Sequence, residues 1–159
     1  AGAKKRVATL TLTELRGITG VLTLEELLDL AKKNNKEVLI ETKHPVFSGR
    51  RVERKVTELG KQYKFTAMSF SLFAVLLLKK NLNDVAYVVA RRWRLLFIPT
   101  KKVAVDIDLF VKSPWTRKRL ANKEVLLWTM NDEKFLPLAK EWGVAALITD
   151  DPGKFTSLR

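Results

Sequence analysis

Two patterns of apolar positions alternate along nearly the whole chain. Short continuous apolar runs recur, and longer stretches with apolar residues three or four positions apart separate them. A continuous run is typical of a strand that is buried on both faces, and the wider spacing is typical of a helix with one buried face. The pattern therefore predicts strands that alternate with helices.

The apolar runs predict six strands, and the wider spacing predicts the helices between them. The predicted strands are 38–40, 65–70, 85–90, 103–107, 125–129 and 144–149. The predicted helices are 24–34, 50–63, 71–82, 113–121 and a last one from Asn131 or Asp132 to Trp142. Thr23 and Glu26 form a capping box at the first helix, and Gly143 follows the last one where a left-handed residue usually ends a helix. We expect 91–102 to be irregular and 7–17 to be a connection from an earlier element.

Successive strand–helix units imply parallel strands joined by right-handed crossovers. An open doubly wound sheet that binds a nucleotide usually has a glycine-rich first turn, and no such turn occurs among the 7 glycines. A (β/α)8 barrel has eight units and about 250 residues. The 159 residues therefore predict one domain, 1–159, that is a partial (β/α)8 barrel of about six units and lacks the first two.

Composition narrows the classes of protein and the partners. The chain has no cysteine, no apolar run of the roughly 18 residues that cross a bilayer, and no signal peptide at its start, so we expect a cytoplasmic protein. Its 30 Lys and Arg against 17 Asp and Glu give a net charge of +13, which attracts phosphate esters and polyanions. No RNA-binding signature or recognition helix is present, so we do not expect nucleic acid to be the main partner.

Polar residues at the carboxyl ends of the predicted strands are the candidate site, because barrel enzymes place their chemistry there. Glu41 and Lys43 are two positions apart and therefore project from one face of a strand. They suit a divalent cation beside a phosphate oxygen, or alternatively an ion pair that plugs the barrel mouth. Ser69 either lines the pocket or caps the next helix, and Asn131 is a further candidate for the pocket.

Three other acidic residues lie at the ends of predicted strands. Asp106 and Asp108 either face the pocket, or they serve a loop or form salt bridges with Arg91 or Arg92, and we favour the second interpretation. Asp150 is expected in the closing turn rather than in a ligand set.

An ordered set of segments resembles the glycerophosphodiester phosphodiesterase family over nearly the whole chain. Ile40-Glu41-Thr42-Lys43-His44-Pro45 resembles its E-x-K motif, and Ser69-Phe70 resembles its Q-S-F strand end, with Met68 in place of Gln. The run 125–131 resembles V-x-x-W-T-V-N, and 143–152 resembles G-V-D-G-I-I-T-D-x-P. Segments 10–15 and 22–26 resemble L-T-L-x-E-L and P-T-L-E-E-x.

The resemblance implies metal-dependent hydrolysis of glycerophosphodiesters to glycerol 3-phosphate and an alcohol, as in lipid and glycerol metabolism. The implied cofactor is Ca²⁺ or Mg²⁺, held by three carboxylates of which Glu41 is one. Lys43 corresponds to a lysine near the phosphate, and Trp128 to an aromatic residue that lines the substrate pocket.

The family's other motifs are missing from the chain. It contains no H-R-G, E-x-D or H-D motif, and its one histidine, His44, follows the E-x-K motif and reads as a loop residue. Acid–base cleavage of this kind needs two histidines, so the catalytic residues are unknown here and we expect the chain to be inactive alone. The expected partners are a small phosphodiester substrate and either the missing N-terminal segment or another copy of the chain.

Two other functions are consistent with the sequence. One is a non-catalytic basic module that binds phosphate-rich polyanions, either nucleic acid or anionic lipid. The other is a barrel relative that keeps only a phosphate-binding role.

Overall fold

A computed structural model describes residues 7–43 and 50–158. Two compact units divide the chain, residues 1–38 and 39–159. One domain over 1–159 stays a prediction. Each unit has its own secondary-structure elements.

The first unit holds two short helices, α1 (Leu12–Ile18) and α2 (Leu24–Lys33), after a 3-10 turn at Val7–Thr9. The hydroxyls of Thr11 and Thr23 each cap a helix by accepting a hydrogen bond from the backbone N–H of Glu14 and Glu26. In turn, the carboxylates of Glu14 and Glu26 accept a hydrogen bond from the backbone N–H of the capping threonine. These are two capping boxes, of which the sequence analysis identified the second. The segment predicted as a connection therefore contains a helix.

The second unit is built on one sheet of six parallel strands. The strands are β1 (Leu39–Thr42), β2 (Thr66–Ser69), β3 (Val85–Val89), β4 (Lys102–Asp106), β5 (Glu124–Trp128) and β6 (Ala146–Leu147). The helices are α3 (Arg51–Leu59), α4 (Leu72–Lys79), α5 (Ile107–Lys112), α6 (Pro114–Leu120) and α7 (Leu136–Glu141). Three 3-10 segments complete the unit: Arg92–Leu96, Glu133–Phe135 and Pro152–Leu158.

The strand order decides between the two predicted closures. Neighbours in the sheet run β1-β2-β3-β4-β5-β6, in the order of the chain, and every pair is parallel. A doubly wound sheet reverses its order at a switch point, whereas a barrel does not. The sheet is therefore a curled part of a (β/α)8 barrel, which confirms the predicted fold class.

Burial explains why the strands are continuous apolar runs. On one face, called the inner face, Ala86, Val88, Ala104 and Leu126 form a core cluster, and partly buried hydrophobic side chains pack against it: Met68, Phe70, Trp128, Ala146 and Ile148. Alternate residues on the opposite face, such as Ala67 and Val103, are fully buried as well. Helix α4 packs against β2 and β3, and α5 against β4 and β5.

Two connections differ from the predictions. Asp106 ends β4 and caps α5 through a bond from the backbone N–H of Leu109 (3.0 Å), so a helix begins where only the end of a strand was predicted. The last predicted helix is a 3-10 turn followed by α7, and Asp132, one of the two predicted caps, caps the 3-10 turn. Gly143 has φ +60 and ends this helix as predicted.

Candidate active site

Glu41 and Lys43 lie at the carboxyl end of β1, and strand register fixes the face that Glu41 occupies. Glu41 is paired with Met68, and Met68 with Ala86, and residues paired in this way project from the same face. Since Ala86 belongs to the inner core cluster, Glu41 projects from the inner face. This is the face on which a barrel enzyme holds its substrate.

The two side chains differ in their exposure to solvent. The Glu41 side chain is 24% exposed and that of Lys43 is 81% exposed, and Lys43 Nζ lies 3.9 Å from Glu41 Oε1. This distance is at the outer limit for an ion pair, and a pair this exposed contributes little to stability. A tight ion pair that plugs the barrel mouth is therefore not what the geometry shows. Both groups remain accessible to a ligand.

Trp128 contributes an aromatic wall at the end of β5. Its ring meets that of Phe70 edge to face, with centroids 5.5 Å apart, and both rings pack on the inner core cluster. The indole Nε1 is buried and has no hydrogen-bond acceptor among the described residues. A buried donor without a partner is costly, so this N–H is suited to an oxygen of a bound molecule or of a water.

Asn131 joins the ends of β5 and β6. Its Oδ1 accepts from the Thr149 hydroxyl and the Asp150 backbone N–H, both at 3.0 Å, and its Nδ2 donates to Asp150 Oδ2 at 2.8 Å. Asn131 is exposed, so with these bonds its side chain lies at the surface, at the carboxyl ends of β5 and β6. Asp150 therefore takes part in the closing turn, in keeping with the sequence interpretation.

Ser69 is fully buried at the end of β2. Its hydroxyl donates to the backbone carbonyl of Thr42 (2.9 Å) and accepts from the backbone N–H of Ser71 (3.2 Å). Ser71, not Ser69, caps α4 through the N–H of Ala74. Ser69 thus fastens β1 to β2 beside Glu41, and its role in the pocket stays a prediction.

The acidic residues after β4 do not pair with Arg91 or Arg92 as expected. Asp106 caps α5, and Asp108 pairs with Lys112 one helical turn later (3.2 Å). The physical reason is the unpredicted helix α5, which turns both carboxylates toward local partners. The ring of Trp115 lies under the Arg92 guanidinium instead, 4.8 Å from its carbon.

The described residues do not by themselves fit a divalent metal. They contain no group of three or more His, Cys, Asp or Glu side chains that could hold one. Calcium and magnesium prefer six or more oxygen ligands, and Glu41 supplies one carboxylate. His44 lies outside the described residues.

A polar cluster that the sequence analysis missed occupies the opposite end of the strands. Lys102 Nζ lies 2.8 Å from Asp84 Oδ2 and 3.4 Å from Glu124 Oε1, and it donates to the Thr66 hydroxyl at 3.3 Å. Partial burial acts to lower the pKa of Lys102, but its bond to Asp84 and the two negative charges outweigh burial and raise it. The signal in the sequence was a charged residue at the start of both β4 and β5.

A cavity of about 400 Å³ opens beside this cluster and is lined by Asp84, Lys102 and Glu124, among others. It lies at the amino ends of the strands, away from Glu41. Polar groups at this end of a barrel usually serve stability rather than chemistry. The candidate site therefore stays at the other edge.

Solved structures with the same fold cover most of the chain. A phosphodiesterase from Oleispira antarctica in complex with the product sn-glycerol-3-phosphate has a TM-score of 0.69 at 21% identity, over 85% of this chain and 60% of that one. A glycerophosphodiester phosphodiesterase from Parabacteroides distasonis gives 0.68 at 18% identity, over 86% and 63%. A structure from Silicibacter pomeroyi gives 0.72 at 18% identity, over 99% and 70%.

The chain thus spans less than two thirds of the first two of these proteins. A comparison with curated proteins gives no significant match. The profile of one sequence family, by contrast, matches residues 1–154. The chain belongs to the glycerophosphoryl diester phosphodiesterase family.

Proposed function

We propose that the chain is the larger part of a phosphodiesterase that hydrolyses glycerophosphodiesters to glycerol 3-phosphate and an alcohol. The observation that supports this best is the position of Glu41 and Lys43, accessible at the carboxyl end of β1 in a chain of this family. The product bound in the Oleispira antarctica structure, sn-glycerol-3-phosphate, matches the product proposed for this chain.

The roles of the chain's residues follow from their chemistry. The Lys43 ammonium is exposed and neutralises a phosphate oxygen as charge develops in the reaction. The Glu41 carboxylate lies beside it and holds a cation or orients the lysine. Trp128 provides an apolar wall for the glycerol part, and its indole N–H provides a donor.

A requirement for Ca²⁺ or Mg²⁺ is part of the proposal and rests on the family rather than on the described residues. Glu41 would be one ligand, and the others would come from the upstream E-x-D motif of the family. When bound, the ion would polarise the phosphodiester. A chelator is expected to abolish activity of the completed protein, and added Ca²⁺ or Mg²⁺ to restore it.

Catalysis also needs an acid and a base, which the described residues do not provide. We therefore propose that this chain is inactive alone and becomes active when the segment carrying H-R-G, E-x-D and H-D is supplied. The cytoplasmic location stays a prediction. The described residues contain no helix that is long and apolar enough to cross a membrane.

The test is to produce the chain together with the upstream segment and to measure release of glycerol 3-phosphate from glycerophosphocholine. Glu41→Gln and Lys43→Met are each expected to lower kcat about 10²-fold or more, the usual loss when one charge-stabilising contact is removed. Glu141→Gln and Lys61→Met are matched controls, because both residues are exposed and lie away from the carboxyl ends of the strands. Full activity in Glu41→Gln would show that the site is assigned wrongly.

A further inference from the structure

The connection from β3 to β4 carries an unusual surface. It has no α-helix on the path between the strands, and its 3-10 segment Arg92–Leu96 leads into an extended stretch. Trp93, Leu96 and Phe97 are 62%, 68% and 57% exposed. Fully burying one such side chain is worth about 1.5–3 kcal/mol, and all three side chains leave more than half of their surface in water.

Two of these apolar side chains share one side of the segment, and Phe97 follows them directly in extended backbone. Side chains three positions apart eclipse in a 3-10 helix, so Trp93 and Leu96 project together. Leu95 points the other way and is fully buried, which anchors the segment to the core. We call Trp93, Leu96 and Phe97 the apolar ridge.

Hydrogen bonds hold the ridge in place. Arg119 donates to the carbonyls of Leu95 (3.0 Å) and Leu96 (3.1 Å), and Arg94 donates to the carbonyl of Phe70 at the end of β2. The ridge is therefore presented by a fixed backbone. Neighbouring exposed apolar side chains that form a contiguous patch are typical of an interaction surface.

The charge around the ridge indicates what covers it. Residues 91–102 contain Arg91, Arg92, Arg94, Lys101 and Lys102 and no acidic residue. Lys101 and Lys102 lie at the amino ends of the strands, where Lys102 pairs with Asp84 and Glu124. Arg91 and Arg92, which come just before the ridge, are exposed. Aromatic and aliphatic side chains flanked by arginine suit the boundary between headgroups and acyl chains of an anionic bilayer.

We propose that the apolar ridge and its basic flanks dock the protein on anionic lipid surfaces. The partner is the lipid surface itself: the ridge enters the headgroup boundary, and Arg91 and Arg92 meet lipid phosphates. A nucleic acid fits less well, because base stacking uses aromatic rings and leaves the aliphatic Leu96 without a partner.

The ridge lies close to the candidate active site. It follows the carboxyl end of β3, and Arg94 ties it to the end of β2, so it lies at the same edge of the sheet as Glu41. If the proposed function holds, on which this step alone rests, docking brings the candidate site close to lipid headgroups. The substrates of the candidate site would then be lipids whose headgroup is joined to glycerol through a phosphodiester.

The binding test uses the 159-residue chain with vesicles of phosphatidylcholine alone and of an equal mixture with phosphatidylglycerol. We expect binding to the mixed vesicles only, weakened by salt. Trp93→Ala/Leu96→Ala/Phe97→Ala and Arg91→Ala/Arg92→Ala should each weaken it about tenfold or more. The controls Phe73→Ala/Leu76→Ala and Lys61→Ala/Lys64→Ala remove exposed side chains of the same kinds elsewhere and should bind within about twofold of the parent.

A second measurement does not depend on how the triple variant folds. In the parent, mixed vesicles should shift tryptophan emission to shorter wavelength, and Trp93→Phe should bind normally but lose most of that shift. If the triple variant folds, by circular dichroism, and binds vesicles as the parent does, the proposal is wrong. It is also overturned if duplex DNA competes fully with vesicles, or if the triple variant removes self-association instead. None of these outcomes depends on hydrolysis, so docking and the proposed function fail separately.

Discussion

At the residue scale, the two ends of the sheet use charged side chains in opposite ways. Glu41 and Lys43 are loosely paired, 3.9 Å apart, and remain accessible. Lys102 is 23% exposed and is enclosed by two carboxylates and a hydroxyl. The first pair is available for a ligand, whereas the second group is satisfied by the protein itself.

We expect Lys102→Met to lower the free energy of unfolding by about 1–3 kcal/mol, since it removes charged hydrogen bonds to Asp84 and leaves two carboxylates near each other. Lys101→Met, next in the chain but exposed, should change stability by less than about 0.5 kcal/mol. Urea unfolding of both variants measures the difference. Equal effects would mean that the cluster does not stabilise the strands.

Glu26 provides a pH-dependent contribution to stability. The backbone N–H of Thr23, followed by the Arg16 guanidinium, lowers the pKa of Glu26 from 4.5 to about 2 in the folded chain. A lowered pKa in the folded state stabilises above the unfolded value of 4.5, and this gain is lost as the pH falls through 2. The difference in thermal stability between the parent and Glu26→Gln should therefore be largest above pH 4.5 and close to zero below pH 2.

Arg16→Gln serves as the check, because it removes the 2.6 Å partner of Glu26 and should narrow the gap over the same pH range. If the gap between the parent and Glu26→Gln stays constant from neutral pH down to pH 2, the folded carboxylate does not titrate as described.

At the element scale, helix ends follow local chemistry. Four of the helices in the described residues are capped by a Thr or Ser hydroxyl, at Thr11, Thr23, Ser71 and Ser113. Such caps need only a hydroxyl and the backbone of the next turn, so they can be recognised in a sequence. The cap of α5 by Asp106 was missed because Asp106 is also the last residue of a strand.

The stability of the protein should respond in opposite directions to alanine at two glycines, one inside a helix and one just after a helix. Gly143 has φ +60 with open space around it, so Gly143→Ala costs about 1–2 kcal/mol through the backbone alone. Gly17 lies inside α1, also in open space, so Gly17→Ala should stabilise by about 0.5–1 kcal/mol. Thermal unfolding of the two variants gives the signs, and a stabilising Gly143→Ala would contradict the left-handed conformation.

At the scale of the whole molecule, the sheet has edge strands at β1 and β6. Edge strands with free backbone groups favour pairing with another chain. The sequence analysis named an N-terminal segment or a second copy as partner, and both stay predictions.

We expect sedimentation velocity to show association of the chain that increases with concentration, because one copy can cover the sheet edges of another. Adding the upstream segment should shift the population toward a one-to-one complex and raise the melting temperature. A chain that stays monomeric at every concentration and ignores the segment would contradict this expectation.

The sequence by itself determined the alternation of strands and helices, the capping box of Thr23 and Glu26, the helix end at Gly143 and the family. Apolar spacing reports burial on one face or two, and Thr23, Glu26 and Gly143 act through neighbours within a few residues, so these features are local. It also identified Glu41 and Lys43 as a same-face pair, because side chains of a strand alternate.

Only the tertiary structure decided the order of the strands, the face that Glu41 occupies and the partners of Lys102. It also showed that Trp128 has a buried N–H without an acceptor and that Trp93, Leu96 and Phe97 stand exposed. The physical reason is that Lys102 meets Asp84 and Thr66, 18 and 36 positions away, only through strand register. Contacts between residues so distant in the chain depend on how the strands pair, and local spacing carries no record of that pairing.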